Sequence, residues 1–458
     1  MSARRASRRT ALLVAALAAV PFAAALGARF VFDDEGEVVG SVSPLATFWE
    51  RLPHLGRPLL KLTYALGAWL HGPSPAGFRL FNVALHAASA VLVFLLAERW
   101  LSARRPGESG AARTAAFAGA ALWALHPLAA ETVTYVSGRS MGLSTLLVLA
   151  SLALVAADDV PSTRCALGAG LLAFLAPLAK ETALVLPLLL VWWEATLGPR
   201  DVPLRDRARR FAPVFAGAAA ASLVLALLPR HRELLGFSLA VRPPLEALRG
   251  NVQAVPAMLG LWAFPWRLSI DPAKPLEWAW TEAPTLLALA FLGSLATVAL
   301  VARRRAPFLA FAIGWMLLAL APSNSFVWRL DPVGVRPLYL ASFGPALLAA
   351  AILALALSAR APAFGRAALA GALAFACALG AGLAVRNARY RSPVALWEDA
   401  VQKAPRNARA KNNLGFAYLA AGRLDDAERL LETAREADPG MSQPECGLAA
   451  IRIKRGTR

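Results

Sequence analysis

ALLVAALAAVPFAAALGA, residues 11–28, is an apolar run long enough to cross a bilayer core, and the acidic stretch FVFDDEGEVV, residues 30–39, follows it after a single arginine. Three consecutive carboxylates, Asp33, Asp34 and Glu35, therefore stand where a lipid-embedded helix has just emerged. Ionised groups at such a boundary are costly unless water, a cation or a reacting group meets them. Their purpose depends on the side of the membrane they face.

The pattern recurs along the 458-residue chain, which is 58% hydrophobic and only 17% charged, with many further apolar runs of about 15–23 residues. This composition reads as an integral membrane protein. SARRASRRT ahead of the first run has the look of a secretory signal, but the run lacks a small-x-small cleavage site followed by a soluble domain, so a retained first span is expected. The net charge is +19. Its arginines cluster in MSARRASRRT, ERWLSARRPGESGAAR, LGPRDVPLRDRARR, VARRR and SARAPAFGR, short segments between apolar runs, as the positive-inside rule requires of cytoplasmic loops. The excess charge reports orientation and not a nucleic-acid partner. Cys165 and Cys377 fall within runs and Cys446 stands alone, so neither a disulfide frame nor metal-ligand spacing is present.

With the arginine-rich loops inside, spans are expected at 11–28, 77–98, 113–127, 140–157, 164–178, 182–196, 211–228, 284–302, 307–322, 338–358 and 365–385, about eleven in all. The N-terminus is then cytoplasmic, and everything after residue 385 lies outside. NVQAVPAMLGLWAFPW, residues 251–266, holds two prolines and would invert every later loop if it crossed, so it is read as interfacial or re-entrant. The outer loops are 29–78, 229–283 and 323–337. The fold class is all-α: a polytopic membrane domain, 1–385, and a helical domain over 386–458. In the latter, NARAKNNLGFAYLAAGRLDDAERLLETAREADP places Leu414, Gly415, Tyr418, Ala427, Leu431, Ala434 and Pro439 at the packing positions of a tetratricopeptide repeat, the full repeat covering about 408–441 with a half repeat on either side. Isolated repeats cannot bury their faces, so the halves are read as caps.

Charged side chains converge on the outer face. One carboxylate of the Asp33, Asp34 and Glu35 cluster can take a proton from an acceptor hydroxyl while its neighbours bind a divalent cation or orient substrate; the plainer reading is a solvated loop. ALHPLAAETVTYVSGRS concentrates His126, Glu131, Tyr135 and Arg139 between two spans. Glu131 and Tyr135 are one helical turn apart, and Arg139 is either a phosphate partner or a snorkelling anchor. PLAKETALVLP puts Lys180 and Glu181 in a tight hairpin, as an interfacial ion pair or a substrate-binding pair. Further on come Arg267 and Asp271 in FPWRLSIDP, and Asn324, Arg329, Asp331, Arg336 and Tyr339 in APSNSFVWRLDPVGVRPLYL. No Walker loop, dinucleotide glycine pattern, nucleophile elbow or zinc-type histidine pair occurs.

Taken in order, VFDDEGEV, GRPLLKLTYALG with FRLFNVALHAASAVLVFLL, HPLAAETVTYVSGRS, AKETALVLP, LWAFPWRLSIDP, APSN with VRPLYLASFG, and the repeat region resemble the TMTC family. These are transmembrane and tetratricopeptide repeat-containing O-mannosyltransferases of the type C glycosyltransferase superfamily. The resemblance covers essentially the whole chain. It implies inverting transfer of a sugar, classically mannose, from a polyprenyl-phosphate donor to a protein hydroxyl at the face away from the cytosol. It also implies that an acidic residue of the first outer loop is the base: Asp33, with Asp34 next. By the same resemblance Glu131, Tyr135 and Arg139 match the second motif and Lys180 and Glu181 the third, with Arg139, Lys180 and Arg336 directed at the donor phosphate. Glu35, Glu131, Tyr135, Glu181 and Asp271 are expected to bind or orient substrate, and a metal requirement is left open.

Two departures stand out. The family's acidic residue before the arginine is Val335 here, and the tail holds one full repeat where the family commonly carries many. The acceptor is a protein docked by the repeat region, or a lipid-linked glycan or lipid A. A non-catalytic repeat-bearing scaffold would not need charges converging from four loops, and a transporter would carry polar residues at mid-span depth. Composition and the short tail suggest a bacterial inner membrane.

Overall fold

In the computed structural model the described residues are 3–39, 45–157, 162–272, 278–329, 331–359 and 361–456, with the side chains of residues 3, 4, 35, 39 and 46 also outside the described set. Secondary structure among them is helical, without strands. Proline opens many of these helices: Pro58, Pro75, Pro229, Pro244, Pro307, Pro362 and Pro393 each stand in a first turn. There its missing N–H costs nothing and its fixed φ suits the helix.

Eight described helices are long and apolar enough to cross a membrane: Arg5–Ala25, Pro75–Arg104, Val136–Val155, Leu204–Leu227, Ala283–Ala302, Pro307–Asn324, Leu338–Leu357 and Pro362–Arg389. The other three expected spans, 113–127, 164–178 and 182–196, correspond to shorter helices, Ser109–Ala124, Thr163–Ala179 and Leu186–Thr196. The last is preceded by a 3-10 turn, Glu181–Val185, that carries charge into the site described below. The outer segments are more helical than their composition suggests. Pro58–His71 lies within the first, and Pro229–Val241 and Pro244–Ala263 fill the second. The helix Pro244–Ala263 is held near one end of the bundle at both flanks. Asn251 donates to the Ser325 carbonyl at 2.7 Å, and beyond the helix the Leu268 carbonyl accepts from Arg386 at 2.7 Å.

The arginine-rich segments gather at the opposite end. Glu98 accepts from Ser7 and from Arg113, Arg210 pairs with Glu194, and Ser358 donates to Glu108. Between the two ends lies one large apolar core, centred on the contacting rings of Trp100, Phe311, Trp315 and Phe343. Residues after the last span form a second core around Trp397, Leu414, Leu431 and Ile451. Here Ala408–Ala420 and Leu424–Ala437 make the antiparallel pair expected of the full repeat, flanked by Pro393–Lys403 and Gln443–Gly456. Asn407 caps the first helix of the pair by accepting from the Ala410 N–H, and Gly422, at φ +78°, supplies the left-handed residue that ends it.

Helices in the bundle approach most closely where side chains vanish. A Cβ on Gly217 would lie 2.1 Å from the Gly170 carbonyl oxygen, and one on Gly170 would lie 2.5 Å from that of Pro213. In lipid, such small-residue contacts replace the hydrophobic drive that water supplies elsewhere. Gly217→Val is therefore expected to destabilise the bundle by about 1–3 kcal/mol through overpacking. The check is the midpoint of thermal unfolding in detergent; an unchanged midpoint would show that this crossing is loose.

Candidate functional site

The first outer segment is shaped by a buried arginine and a buried carboxylate. Arg79 donates to the Thr134 carbonyl at 2.8 Å and to the carbonyls of Ala28 and Arg29, gathering the exposed C-terminal end of the first span. Asp34 is fully buried. Its Oδ1 accepts from the Ser137 N–H at 2.8 Å and the Ser137 hydroxyl at 2.9 Å, and its Oδ2 accepts from Val31 and Val136 N–H groups at 3.3 and 3.4 Å. These bonds clamp the loop to the segment Val136–Gly138. Phe32, two residues earlier, takes a left-handed φ of 54°, which a side chain with a Cβ adopts only under constraint.

The clamp leaves Asp33 as the free carboxylate of the pair. It presents itself to solvent, beside Tyr135 and Arg336. Its partial burial among these neighbours raises its pKa above the ordinary aspartate value; Tyr135 and Arg336 oppose the rise, while Glu37 and Asp331 add to it. The Tyr135 hydroxyl is close enough to favour the ionised Asp33, yet it is buried without a regular hydrogen bond of its own. The side chain of Glu35 lies outside the described residues. Glu37, not singled out in the sequence, is ion-paired to Lys61 at 2.7 Å.

Cations crowd the same corner. Lys180 follows directly on the helix Thr163–Ala179, in extended backbone, and its neighbour Glu181 accepts two bonds from Arg57, at 3.0 and 2.8 Å. Arg336 lies over the Tyr135 ring at 5.4 Å, and Arg329 donates to the Ser323 carbonyl at 3.1 Å. Burial, then the charges of Arg57, Arg336 and Arg329, hold Lys180 well below the usual lysine range, with Glu181 a partial offset. Burial and Arg336 likewise push Arg329 down to about 10. Among the described residues neither the Lys180 amine nor the Arg336 guanidinium has a hydrogen bond or ion pair. An exposed carboxylate thus stands beside Arg336, which in turn neighbours Lys180 and Arg329, so a proton acceptor and a group of cations adjoin.

Other expected site residues are committed to the protein itself. Arg139 is buried, and its guanidinium donates to Asn82 Oδ1 at 2.8 Å, the Thr63 carbonyl at 3.1 Å and the Phe78 carbonyl at 2.9 Å, among the rings of Tyr64, Phe78 and Phe81. All three nitrogens are used, so Arg139 braces spans and does not face the cation cluster. Glu131 pairs with Arg386 of the last span. Asp271 is buried and chelated by Arg409, which also reaches Asp331. His126 caps its own turn and bonds the Trp262 carbonyl. Val335 is packed in the main core. Arg57, Arg386, Trp397 and Arg409 were not singled out in the sequence. The only signal for Arg57 was its place directly before Pro58, and Arg409 lies at a repeat position that repeat packing does not require to be charged.

Among the described residues no group of three His, Cys, Asp or Glu side chains is placed to hold an ion, and Asp34 and Glu37 already accept from protein donors. The contrast between Arg139 and Lys180 has a stability consequence. Arg139→Gln is expected to cost on the order of 3 kcal/mol, since it strips buried acceptors of their donor. Lys180→Gln is expected to leave the ligand-free protein as stable or more so, because it removes repulsion from Arg57, Arg336 and Arg329. Thermal unfolding of both variants in detergent checks the pair; the reverse order would mean that the two roles are exchanged.

A tetratricopeptide repeat family model matches residues 386–446. Among curated proteins, the protein O-mannosyl-transferase Tmtc1 of Drosophila melanogaster is 35% identical over 142 residues, 27% of this chain and 15% of that protein. The protein O-mannosyl-transferase F38B6.6 of Caenorhabditis elegans is 29% identical over 193 residues, 39% of this chain and 26% of that one. The protein O-mannosyl-transferase Tmtc3 of Drosophila melanogaster is 26% identical over 450 residues, 81% of this chain and 47% of its own length. The chain thus spans less than half the length of these relatives. No solved structure matches it. The family to which this membrane chain is similar in sequence is the TMTC family of protein O-mannosyl-transferases.

Proposed function

We propose that the chain is a membrane glycosyltransferase that moves a sugar, mannose by analogy with the names of its relatives, from a polyprenyl-phosphate carrier to a protein hydroxyl, with inversion. The observation that carries this reading is the exposed Asp33 carboxylate beside Arg336, which in turn neighbours Lys180; among the described residues neither cation has a hydrogen bond or ion pair. The donor phosphate settles against Lys180, Arg336 and Arg329, its lipid tail remaining in the bilayer and its sugar held at the surface. Asp33 accepts the acceptor's hydroxyl proton as that oxygen bonds to the anomeric carbon on the face opposite the phosphate. The carbon–oxygen bond to the phosphate breaks, and the departing polyprenyl phosphate carries away the negative charge that the fixed cations stabilise. Asp34 does not share this work; it holds the loop. The arginine-rich end is cytoplasmic by the positive-inside rule, so the site and the repeat region are extracytoplasmic, in a bacterial inner membrane on grounds of composition.

Membranes containing the wild type and polyprenyl-phosphate mannose labelled in its sugar are expected to pass label to protein. Asp33→Asn is expected to lower that transfer by about a hundredfold, the scale of a lost general base. Lys180→Gln and Arg336→Gln are each expected to cost about a hundredfold through lost charge stabilisation. The base must be ionised and its pKa is raised, so activity is present at neutral pH and is lost as the pH falls through a value above the ordinary aspartate value of about 4. Label in lipid rather than protein would move the acceptor to a glycan. Equal transfer by wild type and Asp33→Asn would remove Asp33 from the chemistry, and no transfer above empty membranes would favour the scaffold reading.

A further inference from the structure

The repeat region is not a detached appendage. Its first helix, Pro393–Lys403, sets the edge of the Trp397 ring against Phe32, with centroids 5.2 Å apart at 79°, and Phe32 in turn stacks on Tyr135 at 6.4 Å. Trp397 is buried, and Phe32 is the left-handed residue directly before Asp33. An aromatic wedge from the repeat region thus bears on Phe32, the non-glycine residue with a left-handed φ among the described residues, a conformation that requires outside support. The next helix contributes Arg409, which donates to both oxygens of Asp271 and to Asp331 Oδ1. Asp331 belongs to the same outer segment as Arg329 and Arg336. Lys403 and Asn407 add bonds to the carbonyls of Leu268 and Asp271, at 2.7 and 3.4 Å.

We propose that the repeat region completes the candidate site: Trp397 holds the Phe32 turn that aims Asp33, and Arg409 fixes the segment that carries Arg336, making both of them positioning residues. The proposal rests on the transferase reading for its catalytic meaning, but its geometric content can be tested apart from it. Neither residue touches the reacting atoms. Each sets the separation between the carboxylate that takes the proton and the cation that meets the phosphate, a separation on which transfer depends steeply.

The experiment uses the full chain in membranes with Cys446→Ser, which removes the exposed thiol of the repeat region, and with Asp33→Cys and Arg336→Cys as a reporter pair. A short bifunctional thiol reagent is applied, and the thiols that remain are counted with a maleimide polymer. Cross-linking is expected in this parent, to fall several-fold on adding Trp397→Ala or Arg409→Gln, and to be restored by Trp397→Phe. In parallel, without the reporter cysteines, Trp397→Ala and Arg409→Gln are expected to lower kcat for sugar transfer by about tenfold or more with little change in KM for the lipid donor. Arg409→Gln leaves the apolar core of the repeat intact, so it tests the proposal even where Trp397→Ala disturbs folding. Cross-linking unchanged in both variants overturns the proposal whatever the transfer assay gives, as does an unchanged kcat in a wild-type-active system. Cross-linking lost while the wild type transfers no sugar upholds the positioning and rejects the transferase reading.

Discussion

A cation withdrawn from water needs a partner, and among the described residues the buried arginines of the outer end have one. Arg139 is saturated by carbonyls, Arg386 has Glu131, Arg409 has Asp271 and Asp331, and Arg57 has Glu181. Lys180 and Arg336 have no hydrogen bond or ion pair among the described residues, and burial together with the charges of Arg57, Arg336 and Arg329 drives Lys180 down against a partial offset from Glu181. The cost is tolerable if the missing charge arrives with a ligand. Nearby, the Asp34 clamp leaves Asp33 open to solvent, Tyr135 contacts both Asp33 and Arg336, and the Arg57–Glu181 pair holds the hairpin that carries Lys180.

Much of the architecture was legible in the residues. Apolar runs marked each bundle helix, arginine clusters marked one end, and the spacing of Leu414, Gly415, Ala427 and Leu431 marked the repeat, because these signals depend on period and composition alone. Residues 229–243 read as loop because their mixed apolar and charged composition satisfies neither a span nor a soluble helix, whereas 251–266 reads as an interfacial or re-entrant run and lies largely within the helix Pro244–Ala263.

The site was legible as a set of motifs but not as roles. Asp33 and Asp34 are the same residue type at adjacent positions, and only the left-handed turn at Phe32 sends one to solvent and the other onto Ser137. Arg139 and Arg336 were equal candidates for a phosphate until their hydrogen bonds could be counted. Asp271 reads as a substrate residue in the sequence because its partner, Arg409, stands 138 positions away in the repeat region. Partnership at that separation is decided by the fold and leaves no local trace.

The central claim is that Lys180 and Arg336, the latter beside Asp33, are the seat of a lipid-linked phosphate. The most direct measurement is a cryo-electron-microscopy structure of the full chain in nanodiscs with a polyprenyl phosphate bound. The account predicts the phosphate between Lys180 and Arg336, with Arg329 within reach and the open side of the headgroup turned to Asp33. A headgroup seated elsewhere, with the Lys180 and Arg336 cluster empty at saturating lipid, would contradict it.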